Sequence, residues 1–191
     1  VRGKLSNLPS LAIVGTRRNT RYGKQVTEEF AGALASAGVS IISGLALGID
    51  GCAHEAALVA QGHTVAVLGS GLSDDAIYPG AHRSLAKRII AAGGAIVSEY
   101  PPDYKPFPYS FPARNRIIAG LSLGTLVTEA PKKSGAIITA YHALDFNRDV
   151  FAIPHSITSP MGFGCNTLLA RGAMLVTSPS DITTYLGLTA T

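Results

Sequence analysis

Seven short apolar runs, most of them separated by helical patterns, constrain this chain more than any other feature. They are Leu11–Val14, Val39–Ile42, Thr64–Leu68, Ala95–Val97, Thr125–Thr128, Val150–Ile153 and Ala173–Val176. Little polar alternation runs through them, as expected of strands buried on both faces of a parallel sheet. Helical spacing predicts helices over about Arg21–Ala37, Asp50–Gly62, His82–Ala92, Ala113–Ala119 and Gly135–Phe146. In the first of these, Tyr22, Val26, Phe30, Ala33, Leu34 and Ala37 share one stripe, and Gly38 stops it. In the second, Asp50 stands where an N-cap is expected. The repetition predicts right-handed βαβ units and an α/β fold with a doubly wound, mostly parallel sheet and helices on both faces. Five prolines crowd Tyr100–Pro112, which predicts an ordered loop or crossover there and no regular element.

At 191 residues the chain suits one α/β domain over 1–191, with no internal boundary expected. A hydrophobic share of 47% supports a sizeable core, and only 15% charged residues excludes intrinsic disorder. The net charge of +4 permits an anionic partner without requiring one. Cys52 and Cys165 lie far apart and are expected to be reduced thiols of a cytoplasmic protein. The apolar runs are strand-length, so no membrane span is expected. The chain opens at Val1 and reads as an excised domain, with fraying expected from about Leu188 to Thr191.

Ligands of open α/β sheets sit beyond the carboxyl ends of the strands, so the turns there are the candidate sites. After the first run come Gly15, Thr16, Arg17 and Arg18, where amides, arginines and the next helix start favour phosphate. After the second come Ser43 and Gly44, a second glycine loop, leading to Asp50 and His54. Both of these are expected to be structural rather than catalytic. After the third, Asp74 and Asp75 read as a polar turn without the further ligands a metal needs, and Arg83 begins a helix. After the fourth come Arg114, Asn115 and Arg116, of which one arginine can meet phosphate while the other pairs with Glu99 or Glu129. After the fifth come Lys132, Lys133 and Ser134, with Ser134 an N-cap, a phosphate ligand, or both. Repeated glycine turns with basic neighbours fit a chain of phosphates better than one small ligand. Tyr100, Tyr104, Phe107, Tyr109 and Phe111 either offer stacking faces to bases or wedge the proline loop onto the core.

At these residues the chain resembles the DNA-processing protein A (DprA/Smf) family. The matching stretches are Ala12–Arg17, Ser43–Asp50, Ala66–Leu72, Ser98–Pro102, Phe111–Ser122, Glu129–Ala140, Val150–Pro154, Gly164–Asn166 and Gly172–Ala173, in family order. The resemblance implies an extended Rossmann-like fold and a non-catalytic role in natural transformation or recombination. In that role single-stranded DNA is bound, protected and passed to a RecA-type recombinase. It also implies a homodimer and no cofactor. Many full-length members add a small N-terminal helical domain and a C-terminal winged helix, which do not match here. Carried over by position, Gly15, Thr16, Arg17, Ser43, Gly44, Lys132, Lys133 and Ser134 fall in the family's DNA pocket. Arg83 has no fixed motif position.

Two other readings stand beside this one. Gly120–Glu129 with Arg114 is similar to the cytokinin-activating phosphoribohydrolases (LOG), although the Pro-Gly-Gly of that family is missing and its glutamate spacing differs. A nucleotide-sensing module is the third.

Overall fold

The computed structural model describes residues 1–188. Eight strands form one sheet: β1 (Arg2–Gly3), β2 (Ser10–Gly15), β3 (Ser40–Ser43), β4 (Thr64–Val67), β5 (Ala95–Val97), β6 (Gly124–Glu129), β7 (Asp149–Ala152) and β8 (Met174–Leu175). Their order is β1-β5-β4-β3-β2-β6-β7-β8. Every pairing is parallel except that of β1 with β5. The chain therefore winds outward from β2 to one edge, returns, and winds outward from β6 to the other. The two halves meet where β2 pairs β6, which is the topological switch point.

Seven helices cover the faces: α1 (Arg21–Ser36), α2 (Ile49–Val59), α3 (Arg83–Ala91), α4 (Ser110–Gly120), α5 (Gly135–Asp145), α6 (Phe163–Ala170) and α7 (Pro179–Tyr185). Strand residues alternate between two sides although nearly all are apolar. Leu11, Ile13, Ile41, Leu126 and Phe151 pack under α1, α2 and α7. Ala12, Val14, Ile42, Val65 and Val127 pack under α4, α5 and α6. Leu68 and Ile96 join Leu85 and Ile89 of α3 in a smaller cluster beside the first. Both faces of the sheet are thus dry, which is why the runs read as continuously apolar.

Several local expectations change. Asp50 is not the cap of α2: Gly48 is, at φ +80, and Asp50 lies inside the first turn. The proline-rich stretch does not stay irregular to Pro112, because α4 begins at Ser110 and carries Pro112 in its first turn, where a missing N–H costs nothing. β1, α6 and α7 were not expected. Leu188, expected to fray, donates its N–H to the Thr183 carbonyl at 2.7 Å and packs on the core; residues 189–191 of that expectation lie outside the described residues. Among the described residues no helix is long and apolar enough to cross a membrane.

Candidate nucleic-acid interface

A cavity of about 550 Å³ opens at the carboxyl ends of the strands, at the switch point. One wall is the turn after β2, with Gly15, Thr16, Arg17 and Arg18. The opposite wall is the start of α5, with Lys133, Ser134, Gly135 and Ala136. Arg114 and Asn115 of α4 and Asp50 of α2 close the inner side, and Pro108, Phe111 and Pro112 stand beside them. Gly44 lines a smaller recess that shares Arg17, Ala46, Phe111 and Arg114 with the main cavity.

The glycine turns differ in how their helix starts are satisfied. An N-terminus carries unpaired N–H groups and a partial positive charge, so it attracts an anion. At α1 that anion is internal. Buried Glu129 accepts from the Thr20 N–H at 2.8 Å and from the Thr20 hydroxyl at 2.7 Å. The first turn was expected to offer this helix start to phosphate, and the structure corrects that expectation. Glu129 was also a candidate partner for an arginine, and it pairs with none among the described residues. The α2 start is closed by backbone carbonyls, the Ile49 N–H donating to Thr16 and the Gly51 N–H to Ala46, each at 3.1 Å, while Asp50 accepts from the Gly44 and Ala46 amides of the preceding loop at 3.1 and 3.4 Å. At α5 the first turn contains no acidic residue. Ser134 caps it by accepting from Ala136 N–H at 3.3 Å, and Gly135 and Lys133 are exposed at the cavity. Of these three starts, that of α5 is the one left open to an outside anion.

The cations divide in the same way. Arg17 and Arg18 are exposed on the first wall, with Arg17 lying 5.3 Å over the Phe111 ring. Lys133 is exposed on the second. Arg114 is only 4% exposed and donates to the carbonyls of Gly44, at 2.6 Å, and Val67. Burial lowers its pKa to about 10, against the pull of Asp50. Burial likewise raises Asp50, more than Arg114 lowers it. The two charges face each other across Gly44, whose missing side chain leaves them room. Asn115 bridges elements, donating to the Gly135 carbonyl at 3.2 Å and accepting from Arg114 Nε at 3.3 Å.

Three residues expected at the site stand apart from its surface. Ser43 is wholly buried, its hydroxyl spent on the Ile13 carbonyl at 2.6 Å. Arg83 donates to the Asp75 carbonyl at 2.8 Å and does not line the cavity. Lys132 is exposed but leans over Phe163, 5.5 Å from its ring centre. Arg116, the other arginine of its pair, bonds Glu99. Asp74 is held by Arg2 and Lys87, which depress its pKa. Lining residues that sequence reasoning did not single out include Thr139 and Met161. Thr139 sits one turn into α5, so it is reachable from the helix start; no local signal marks Met161.

The family model described as DNA recombination-mediator protein A matches residues 1–187. The chain is similar to protein Smf of Escherichia coli (strain K12), at 49% identity over 184 residues, covering 95% of this chain and 49% of that protein. Among solved structures it is similar to DNA processing protein A from Streptococcus pneumoniae, with TM-score 0.85 and 43% identity over 93% of this chain and 61% of that one. A second is DNA processing protein A from Helicobacter pylori, studied for its single-stranded DNA binding mode, with TM-score 0.82 and 36% identity over 93% and 80%. The chain spans about half the length of the curated relatives it matches.

Proposed function

The chain belongs to the DNA recombination-mediator protein A family, and on that premise we propose that its cavity grips the sugar-phosphate backbone of single-stranded DNA in a DNA-processing role. The observation that carries this reading is the contrast among the three helix starts. The α1 start is filled by the Glu129 carboxylate and the α2 start by the Thr16 and Ala46 carbonyls, while the third is open, capped by a serine and faced by exposed Arg17, Arg18 and Lys133. That is a receptor for phosphate. Walls on two sides of the switch point, each with its own cations, suit successive phosphates better than one.

Ser43, Gly44, Arg114 and Asn115 then act from behind, fixing the turns, while Gly15, Thr16, Arg17, Arg18, Lys133 and Ser134 meet the strand. Lys132 and Arg83 contribute at most to the surrounding positive field. No chemistry is assigned to the cavity. Its one lining carboxylate, Asp50, is tied to two amides, and Glu129, which a phosphoribohydrolase reading would need at the nucleotide, is spent on Thr20. Handing the strand to a RecA-type recombinase, pairing as a homodimer and working in the cytoplasm are proposed with the same role.

Fluorescence anisotropy with labelled oligodeoxythymidine, titrated across salt, tests the reading. Arg17→Ala weakens binding regardless of base sequence and makes log affinity fall less steeply with log salt, by roughly one unit of slope. An unchanged affinity and slope would falsify the assignment of Arg17, and release of free base from a nucleoside monophosphate would restore the enzymatic reading.

A further inference from the structure

The aromatic residues of the proline-rich segment form one block. Tyr100 and Tyr104 stack with ring centres 4.3 Å apart and planes 7° from parallel. Phe107 and Tyr109 lie parallel within 5°, with centres 5.6 Å apart. Tyr104 meets Phe107 edge-on at 5.8 Å, and its hydroxyl lies 3.1 Å from that of Tyr109, which locks the two pairs together. The backbone beneath is held as well. Gly71 and Ser73 donate N–H groups to the Tyr104 and Pro102 carbonyls, and buried Ser110 bonds both backbone groups of Phe107.

This rigid block faces water. Phe107 is 47% and Tyr109 64% exposed. It is also continuous with the cavity. The same segment supplies Pro108, Phe111 and Pro112 to the cavity wall, and Phe111 carries Arg17 over its ring and Tyr78 beside it. Wedging the loop onto the core accounts for the buried ring faces. It does not account for the parallel Phe107–Tyr109 pair, held with large areas exposed next to a cationic cavity on the half-buried Tyr100–Tyr104 pair.

We propose that the Tyr100–Tyr109 block is a stacking platform for unpaired bases of the strand whose backbone occupies the cavity, so that the binding path continues past the cavity over residues 100–109. The proposal rests on the reading above. Flat π-faces receive any base, and they receive none whose faces are hidden in a duplex. The platform therefore adds affinity without sequence preference and adds it only for single strands.

The test compares a short oligodeoxythymidine of about 5 nucleotides with one of about 20, a range that brackets common single-strand site sizes. The variant Phe107→Leu/Tyr109→Leu keeps apolar bulk and loses the rings. It is expected to bind the long oligonucleotide about 10-fold more weakly and the short one as before. Tyr109→Trp is expected to keep the wild-type affinity, and in this chain without tryptophan its emission should be quenched by the long oligonucleotide only. A long oligonucleotide with 2-aminopurine walked along it should show quenching at internal positions that the leucine variant abolishes. Circular dichroism and thermal melting verify that the variants fold. If the leucine variant binds both lengths like the wild type while Arg17→Ala loses affinity, the platform is wrong and the cavity stands. Failure of the wild type to bind either length overturns both.

Discussion

Gly44 carries the sharpest constraint at the scale of single residues. A methyl group there would stand 2.5 Å from an Asp50 carboxylate oxygen and 2.6 Å from an Arg114 guanidinium nitrogen. Both groups are buried and hydrogen-bonded, so neither swings aside cheaply. Gly44→Ala is expected to destabilise the protein by about 1–3 kcal/mol, the usual cost of overpacking, read as a lower urea midpoint. A wild-type midpoint would mean that the Asp50–Gly44–Arg114 arrangement yields. The sequence shows that the chain wants no side chain after Ser43. It cannot show what approaches. A glycine turn ahead of a helix reads as a place for phosphate, whereas here residues 50 and 114 of the same chain fill the space. Ser43 and Glu129 follow the same logic, their atoms being committed to partners 30 and 109 residues away.

Among the elements, α5 is where stability and binding separate. Ser134→Ala removes the cap and is expected to cost about 1 kcal/mol. Ser134→Asp keeps a capping oxygen and suits the helix dipole, so its melting temperature should stay near wild type. Its charge, however, occupies the place offered to phosphate, and its affinity for single-stranded DNA should fall more than that of Ser134→Ala. Equal binding by the two variants would remove phosphate from the α5 start. Elements were legible where pattern and length agreed. The seven apolar runs match seven strands; six of them are largely buried on both faces and so write themselves as unbroken apolar runs, and the seventh, the edge strand β8, is half-exposed but apolar. β1 is two residues long and too short to carry a pattern. α6 holds Gly164 in a tight approach to Ala130 and shows scarcely any apolar stripe to read. α7 does carry a local signal, the capping box that Ser178 and Asp181 form around Pro179.

For the molecule as a whole, acid is the informative stress. His54 is fully buried between α2 and the sheet, its Nδ1 2.7 Å from the Thr64 hydroxyl, which itself donates to the Ile41 carbonyl. Among the described residues its Nε2 has no partner. Burial, with His82 and Arg114 adding to it, lowers its pKa from 6.5 to about 3. Between those values the unfolded chain binds a proton that the native state refuses, so stability falls as pH falls, by up to about 1.4 kcal/mol per pH unit. Asp50, raised by burial, acts in the opposite sense. His54→Leu should therefore lose less of its urea midpoint than wild type between about pH 6.5 and pH 4; parallel losses would show that other groups set the acid limit.

The meeting of β2 with β6 also has a temporal side. The first half of the sheet is built from near neighbours in the chain, but Thr20 and Glu129, which tie the two cavity walls together, are 109 residues apart. Closing so long a loop is entropically expensive and late in folding. A chain emerging from the ribosome would possess the arginine turn well before it possessed the α5 start, and in that interval its arginines would have no facing wall. The proposed grip on DNA is thus acquired in one step, by the strand pairing that joins the two halves of the sheet.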